Sequence, residues 1–291
     1  MSNLFLPLQV GTMSLQHRVA MAPLTRLRVD TNSLPLSFVK EYYSQRASVP
    51  GTLIVSEGLN IDPGLNKAIP SLVNDAQVAS WKGITDAVHA KGSFMVLAPS
   101  AIPIDPKSEP PTPMTESDIQ HAITMFAAGA RRAIEAGFDA VEVHGAHGYL
   151  IDQFTQDRAN QRIDKWGGSV ENRSRFGVEV TKAVVETIGA DRVSFRISPY
   201  SEFQAMRMAD PCPQFTHLVK ELRKLKLAFL HIVTARMNSA EDSEFPASID
   251  YLIEAWGKAS PVLVAGGLNL WSAKELMTQW SDRDIVAVFG R

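Results

Sequence analysis

Short apolar runs alternate with amphipathic segments along nearly the whole chain. The apolar runs are four to six residues long and rich in Val, Ile, Leu and Phe. Runs of this kind are typical of strands that are buried on both faces of a parallel sheet. The pattern therefore predicts eight strands, at residues 17–22, 52–56, 93–97, 140–144, 193–198, 229–234, 262–265 and 285–289.

The segments between these strands have the apolar spacing of amphipathic helices. The clearest is residues 117–136, where Ile119, Phe126 and other apolar side chains fall on one face. Thr115 is a suitable N-cap for this helix, and Gly137 is a suitable end for it. Six more helices are predicted, at residues 36–47, 77–91, 171–188, 213–224, 249–258 and 271–280.

Eight strands with helices between them indicate an α/β protein, a (β/α)₈ TIM barrel formed by one domain over residues 1–291. The competing fold, a doubly wound sheet, would place a glycine-rich phosphate turn after the first strand, but Pro23-Leu24-Thr25-Arg26 contains no glycine. Residues 1–15 predict an N-terminal hairpin that turns at Gly11. Residues 98–114 are rich in proline and predict a loop.

The composition argues against nucleic-acid-binding, membrane-bound and disulfide-rich classes of protein. The chain has 29 basic and 31 acidic residues and a formal charge of −2, so no nucleic-acid or charged membrane partner is indicated. Cys212 is its single cysteine, which excludes an internal disulfide framework. We expect a cytoplasmic protein, because neither a signal peptide nor a membrane-spanning apolar stretch is evident.

The strongest candidate chemistry follows the predicted strand at residues 140–144. His144 ends this strand, and His147 and Tyr149 lie in the glycine-containing loop after it. Two neutral imidazoles can together hold one carbonyl or anionic oxygen, and a protonated phenol can act as an acid. A strand end with ordinary surface histidines is the alternative, but three such groups within six positions favour a site.

Other polar or glycine residues follow the remaining strands, where barrel enzymes place their catalytic groups. Gly266 and Gly267 follow the seventh strand, and Gly290 and Arg291 follow the eighth. Barrels often bind phosphate at this position through backbone N–H groups, to which an arginine adds a charge-assisted contact.

Arg196 lies on the fifth strand between two apolar residues, so its side chain is expected to point into the barrel. A buried arginine needs an anionic or carbonyl partner, and a structural salt bridge to Glu142 is as good an explanation as a ligand. Thr25 could hydrogen-bond a flat heteroaromatic ring or could simply cap a helix. No metal site is predicted, because the two histidines have no third ligand in view.

These residues together resemble the Old Yellow Enzyme family, FMN-dependent ene-reductases built on a (β/α)₈ barrel. The matching segments run in order through the chain, at residues 21–26, 41–47, 144–154, 165–176, 196–200, 265–267 and 289–291. The sequences of residues 41–51 and 144–156 are similar to those of fungal members of the family that act in secondary metabolism, including ergot-alkaloid pathways.

The resemblance implies a role for each matching residue. Pro23, Leu24, Thr25, Gly58 and Arg196 would contact the FMN ring, with Arg196 on its pyrimidine side. The FMN phosphate would be held by Gly266, Gly267, Gly290 and Arg291. NAD(P)H would supply hydride, His144 and His147 would polarise the carbonyl of an enone or enal substrate, and Tyr149 would protonate its α-carbon.

The sequence departs from the family pattern at two places. The family continues from the third strand into a Gln-Leu-Trp segment and a glycine-arginine loop, whereas here residues 94–97 run directly into Ala98-Pro99-Ser100. We therefore expect the loop after strand three to be missing, and the last barrel helix to be missing after Arg291. Such a barrel would expose apolar surface of its first and last strands, which would allow a homo-oligomer.

Three functions remain open from the sequence. The first is the FMN-dependent ene-reductase. The second is a flavin-independent isomerase or cyclase of a biosynthetic pathway, which would use the same histidines and tyrosine without hydride. The third is a non-catalytic paralogue, against which the retained histidines and tyrosine argue.

Overall fold

A closed barrel of eight parallel strands forms the centre of the protein, in a computed structural model that describes residues 3–62, 68–99, 113–234 and 248–290. The barrel strands are β3 (Val19–Met21), β4 (Leu53–Leu59), β5 (Phe94–Pro99), β6 (Ala140–Gly145), β7 (Val193–Ile197), β8 (Phe229–Val233), β9 (Val262–Ala265) and β10 (Ile285–Phe289). Each strand pairs in parallel with the next, and β10 pairs with β3 to close the barrel. The predicted (β/α)₈ class is confirmed.

Helices follow the barrel strands within the described residues. They are α1 (Phe38–Arg46), α2 (Asp75–His89), α3 (Glu116–Glu135), α4 (Leu150–Thr155), α5 (Val170–Ile188), α6 (Cys212–Arg223), α7 (Asp250–Trp256) and α8 (Leu270–Gln279). Thr115 begins α3 with a capping box, in which its hydroxyl accepts from Asp118 N–H at 3.2 Å. Only the short α4, which leads directly out of the candidate site, has no counterpart among the predicted helices.

A small antiparallel hairpin packs against the interior of the barrel. It consists of β1 (Leu8–Val10) and β2 (Met13–Leu15). Val10, Met13 and Leu15 are fully buried in one cluster with inward residues of the barrel such as Leu53 and Phe229. This cluster fills the end of the barrel at which the strands begin, so the opposite end is left for a ligand.

The first and last barrel strands, β3 and β10, were expected to expose apolar side chains on their outer faces. Ile285 and Ala287 of β10 point away from the barrel axis and are fully buried, while Val19 and Met21 of β3 are half-buried. The expectation of an exposed apolar face on β10 is therefore wrong, because neighbouring elements, α8 among them, already cover these residues.

Two sequence-based expectations concern residues outside the described ranges. Most of the proline-rich loop predicted at residues 98–114 falls there, as does Arg291. Within the described ranges, none of the helices is long and apolar enough to cross a membrane.

Candidate active site

A cavity of about 410 Å³ opens at the C-terminal ends of the barrel strands. Its volume is in the range of small-molecule sites. Eleven of the residues predicted from the sequence line it, namely Pro23, Leu24, Thr25, Gly58, His144, His147, Tyr149, Arg196, Gly266, Gly267 and Gly290. The strand-end positions thus come together in one place, as barrel geometry requires.

The two histidines and the tyrosine form one cluster on the wall of this cavity. The ring centroids of His144 and His147 are 5.9 Å apart, and those of His144 and Tyr149 are 4.9 Å apart. Both imidazoles line this one cavity. The three side chains are close enough to contact one small ligand together.

The loop after β7 fixes the conformation of His147. This residue has a left-handed backbone with φ of 57°, which is uncommon for a side chain other than glycine. Its N–H donates to Ser198 Oγ at 2.8 Å, and its carbonyl accepts from Gln204 Nε2 at 2.9 Å. Loop contacts therefore hold a strained residue in place, which is typical of functional positions.

Ser201 contacts the ring of His147. Its hydroxyl oxygen lies 3.2 Å from His147 Nδ1 and accepts the N–H of Phe203 at 3.3 Å. The hydroxyl can also donate its hydrogen to Nδ1. In that tautomer the ring proton resides on Nε2 of His147, where it can be donated to a ligand.

The start of α4 places Tyr149. Gly148 has φ of 72°, and a Cβ there would lie 2.7 Å from Gln204 Cβ, so no larger residue fits without a shift. The N–H of Gly148 donates to the buried carboxyl of Asp152 at 2.8 Å. Tyr149 is the N-cap residue that follows, and its phenol is directed toward His144.

Burial keeps this cluster uncharged. Desolvation, followed by the positive charge of Arg196, lowers the pKa of His147 to about 3 and holds the pKa of His144 well below its usual value. Desolvation also raises the pKa of the Tyr149 phenol, although Arg196 opposes this effect. At neutral pH the cavity therefore presents two neutral imidazoles and a protonated phenol.

Arg196 lines the cavity from below, and its side chain is 8% exposed. No ion pair joins it to Glu142 within the part of the chain that the structure describes, so the salt-bridge alternative from the sequence is wrong. Glu142 instead pairs with His231, whose Nδ1 lies 2.7 Å from Glu142 Oε2. Arg196 Nε has no hydrogen-bond partner among the described residues and is available to a ligand.

The glycines after β9 and β10 form the opposite side of the cavity. Gly266 has φ of 121°, and a Cβ there would collide with Thr234 Oγ1. Gly267 also has a positive φ, and the pair leads into Asn269, the N-cap of α8. Exposed backbone at a helix N-terminus is suited to an anion such as phosphate.

Some site residues were not found from the sequence. Phe203 lines the cavity from the loop after β7, Ser201 contacts the His147 ring, and the buried His231 contacts Glu142. His231 could have been recognised from the sequence, because it is a polar residue between Leu230 and Ile232 in an otherwise apolar strand. Among the described residues, no group of three or more His, Cys, Asp or Glu is arranged to hold a metal ion.

Comparison with known proteins decides the family. The chain matches the NADH:flavin oxidoreductase / NADH oxidase family over residues 3–111 and 98–291. It belongs to the Old Yellow Enzyme family of flavin oxidoreductases. A solved Old Yellow Enzyme from Pichia sp. AKU4542 superposes with a TM-score of 0.89 at 32% identity, over 100% of this chain and 83% of that one.

Fungal proteins are among the Old Yellow Enzyme relatives of this chain. The NADP-dependent oxidoreductase lnbE of Aspergillus flavus and the chanoclavine-I aldehyde reductase fgaOx3 of Penicillium roqueforti are each 45% identical, over 100% of this chain and 86% of each relative. The probable inactive dehydrogenase easA of Claviceps purpurea is 41% identical, over 100% of this chain and 85% of its own length. The alignment with lnbE has 324 positions for the 291 residues of this chain, so that relative has additional residues within the aligned span.

Members of this family bind FMN and take hydride from NAD(P)H, and the cavity fits FMN on its own evidence. Arg196 Nε and His144 Nδ1 are buried polar atoms without partners among the described residues, as expected where a polar ligand completes the site. Ala22, Ala98, Ala265 and the glycines give the cavity small walls that a flat ring system can approach. The positive-φ glycines before α8 leave backbone N–H groups that can bind the FMN phosphate.

Proposed function

We propose that this protein is an FMN-dependent ene-reductase that reduces the carbon–carbon double bond of an α,β-unsaturated carbonyl compound at the expense of NAD(P)H. The observation that carries this proposal is the convergence of two neutral imidazoles and one protonated phenol on a single cavity that also fits the flavin. FMN, when bound, supplies the hydride-transferring group.

His144 and His147 bind the carbonyl oxygen of the substrate. Both imidazoles are uncharged, so each can donate one hydrogen bond without the cost of burying a second positive charge near Arg196. Two donors aimed at one oxygen stabilise the negative charge that develops on it as hydride reaches the β-carbon. The contacts of His147 with Ser198 and Ser201 pre-organise one of these donors.

Tyr149 delivers the proton to the α-carbon. Its phenol is protonated at neutral pH because burial raises its pKa, and its ring lies 4.9 Å from that of His144. A substrate whose oxygen is held by the two histidines therefore places its adjacent carbons within reach of this hydroxyl. Arg196 nearby eases loss of that proton, since its charge stabilises the phenolate.

The cofactor is held by the remaining lining residues. We assign Pro23, Leu24, Thr25 and Gly58 to the ring system, and Arg196 to its pyrimidine side. Gly266, Gly267 and Gly290 are assigned to the phosphate, on the evidence of their backbone geometry and close packing. An unsaturated aldehyde is the favoured substrate, because fgaOx3, a relative at 45% identity, is named an aldehyde reductase.

The proposal is tested with the purified protein and its flavin-free form. We expect a yellow protein whose flavin band is bleached by NAD(P)H under anaerobic conditions and is restored by an unsaturated aldehyde. Oxidation of NADPH should depend on both FMN and the aldehyde. A protein that binds no FMN when the cofactor is added in excess would refute the proposal.

A second candidate function is a non-redox isomerase on the same scaffold. The observation that favours it is the existence of a 41% identical relative named a probable inactive dehydrogenase. His144, His147 and Tyr149 could move a proton on an enolised carbonyl compound without hydride. Conversion of the unsaturated aldehyde by flavin-free protein, with no nicotinamide consumed, would identify this function.

A further inference from the structure

A charged cluster lies inside the barrel directly beneath the cavity, and the reaction described above uses only part of it. Glu142 and His144 are two residues apart on β6 and so face the same side, the barrel interior. In the parallel register, His144 is opposite Arg196 on β7, and Arg196 is opposite His231 on β8. Glu142 therefore lies one inward position, about 6.6 Å along the strand, below His144.

Glu142 and His231 are the members of this cluster that are closed to solvent, and the cluster is incompletely paired. The side chains of Glu142 and His231 are both 0% exposed, and they share the 2.7 Å contact between Oε2 and Nδ1. Four polar atoms in the cluster have no hydrogen-bond partner among the described residues: Glu142 Oε1, His144 Nδ1, Arg196 Nε and His231 Nε2. A buried polar contact of this kind is weak evidence for stability, because apolar residues of the same volume often replace buried polar or ionic groups without loss. Because the cluster lies beneath a ligand cavity, we look for its role in the function of the site.

The charges in the cluster can be assigned. Burial lowers the pKa of His231, so its ring is neutral near pH 7 and donates its Nδ1–H to Glu142. The carboxylate of Glu142 is the acidic group whose charge acts on Arg196, and the Tyr149 phenol is the other titratable group that does so. The Glu142 carboxyl and the Arg196 guanidinium therefore lie on neighbouring strands, and the electrostatic effect of Glu142 favours the charged form of Arg196.

We propose that Glu142, oriented by His231, is the counter-charge of Arg196 and holds the reduction potential of the bound flavin low. This inference rests on the proposed function, which places Arg196 against the pyrimidine side of FMN. An uncompensated guanidinium there would favour the reduced, more negative cofactor. The Glu142 carboxylate offsets part of that field, so the reduced cofactor remains a strong hydride donor to an unsaturated carbonyl. Glu142 thus acts by its own field, which opposes that of Arg196 at the cofactor, and His231 is a positioning residue that orients its carboxylate.

The test is the reduction potential of FMN-loaded protein in E142Q and in a matched variant of its partner, H231Q. The change in E142Q removes the negative charge but keeps a side chain of the same shape that can accept from His231. The change in H231Q disturbs the same buried contact without altering the net charge. We expect E142Q to bind reduced FMN at least tenfold more tightly relative to oxidised FMN, a shift of about 30 mV to more positive potential for a two-electron couple. We expect H231Q to shift by less than a third of that.

The two half-reactions give a second readout that a purely structural role would not produce. In E142Q, reduction by NADPH should be faster or more complete, and reoxidation by the unsaturated aldehyde should be slower. An unchanged potential in E142Q, or equal shifts in E142Q and H231Q, would overturn the inference. If E142Q does not fold, R196Q is compared with R196Q/E142Q, in which no lone charge remains buried. The double variant should then have the more positive potential, and equal potentials would overturn the inference.

The outcomes separate this inference from the function on which it rests. Wild-type protein that binds no FMN at all would refute the proposed function. Wild-type protein that binds FMN and is reduced by NADPH, together with an E142Q variant of unchanged potential, would refute only the role of Glu142.

Discussion

Tyr149 is the residue whose chemistry can be separated most cleanly from its packing. Its phenol faces the cavity, and burial keeps it protonated. In Y149F the ring and its contact with His144 remain, so the free energy of unfolding should change little. Reduction by NADPH should be unaffected, because that half-reaction needs no proton on carbon.

Reoxidation of Y149F by an unsaturated aldehyde should slow by about a hundredfold or more, the usual scale for the loss of a general acid. Stopped-flow absorbance at the flavin band measures both half-reactions. An equal loss in the two would assign Tyr149 a structural role, and unchanged reoxidation would show that another group supplies the proton.

Asp152 gives a prediction on pH. Its buried carboxyl accepts hydrogen bonds from Gly148 N–H and from Gln156 Nε2, yet desolvation raises its pKa to about 7. Between about pH 4 and 7 the folded protein therefore holds a proton that the unfolded chain, with a carboxyl pKa of about 3.9, has released. The contribution of this group to the free energy of unfolding falls as pH rises, by up to about 1.4 kcal/mol per pH unit.

D152N lacks this titration, so its stability relative to the wild type should improve as pH rises from 5 to 7, by about 2–3 kcal/mol. Urea unfolding of both proteins at the two pH values measures the difference. A difference that is the same at pH 5 and pH 7 would show that Asp152 is ionised throughout.

At the scale of elements, the turn from β6 into α4 positions His147 and Tyr149 at the cavity. Gly148 has a left-handed backbone, and a Cβ there would press on Gln204, which also holds the carbonyl of His147. G148A should destabilise the fold by about 1–3 kcal/mol and displace His147. The KM for the unsaturated aldehyde should rise accordingly.

Gly83 provides the matched control for this substitution. It lies in the interior of α2, and apart from its chain neighbours and the backbone of its own helix no described atom is within 4 Å of a Cβ built there. G83A should stabilise the protein by up to about 1 kcal/mol, because alanine is the better helix former. Urea unfolding and steady-state kinetics compare the two variants. Equal stability changes in both would mean that the conformation of Gly148 is not constrained.

The elements were predictable where burial leaves a pattern in the sequence. Parallel barrel strands are apolar on both faces, so each strand from β3 to β10 appears as an apolar run, with ends displaced by up to three residues. The long helix α3 was predictable from its spacing and from Thr115. The six-residue α4 was not, because one and a half turns carry too little periodicity, and α4 also begins without a side-chain cap.

The site was predictable only in so far as it follows strand ends. His144, His147, Tyr149 and Arg196 were found because they lie at or beyond the ends of strands. The contact between Glu142 and His231 joins positions 89 residues apart, and that between His147 and Ser201 joins positions 54 apart. Such pairs depend on barrel register and loop conformation, which a single sequence does not specify.

At the scale of the whole molecule, the barrel divides its interior between stability and function. The hairpin formed by β1 and β2 and the inward apolar side chains close the end where the strands begin. The polar residues Glu142, His231 and Arg196 occupy the next levels, and the cavity lies above them. This order places neutral hydrogen-bond donors, a proton source and the cofactor site together at the end of the barrel where the strands finish.

In the proposed reaction, the open end of the barrel reduces an activated double bond whose carbonyl oxygen is held by His144 and His147. One anaerobic single turnover tests this reaction. FMN-loaded wild type and H144L/H147L are each reduced, freed of nicotinamide, and mixed with 2-cyclohexen-1-one. The wild type should reoxidise and yield one equivalent of cyclohexanone per FMN. The double variant should reoxidise at least a hundredfold more slowly, because two hydrogen bonds to the developing oxyanion are lost. Equal rates in the two proteins, or reoxidation of the wild type without saturated product, would rule out this role of the two histidines.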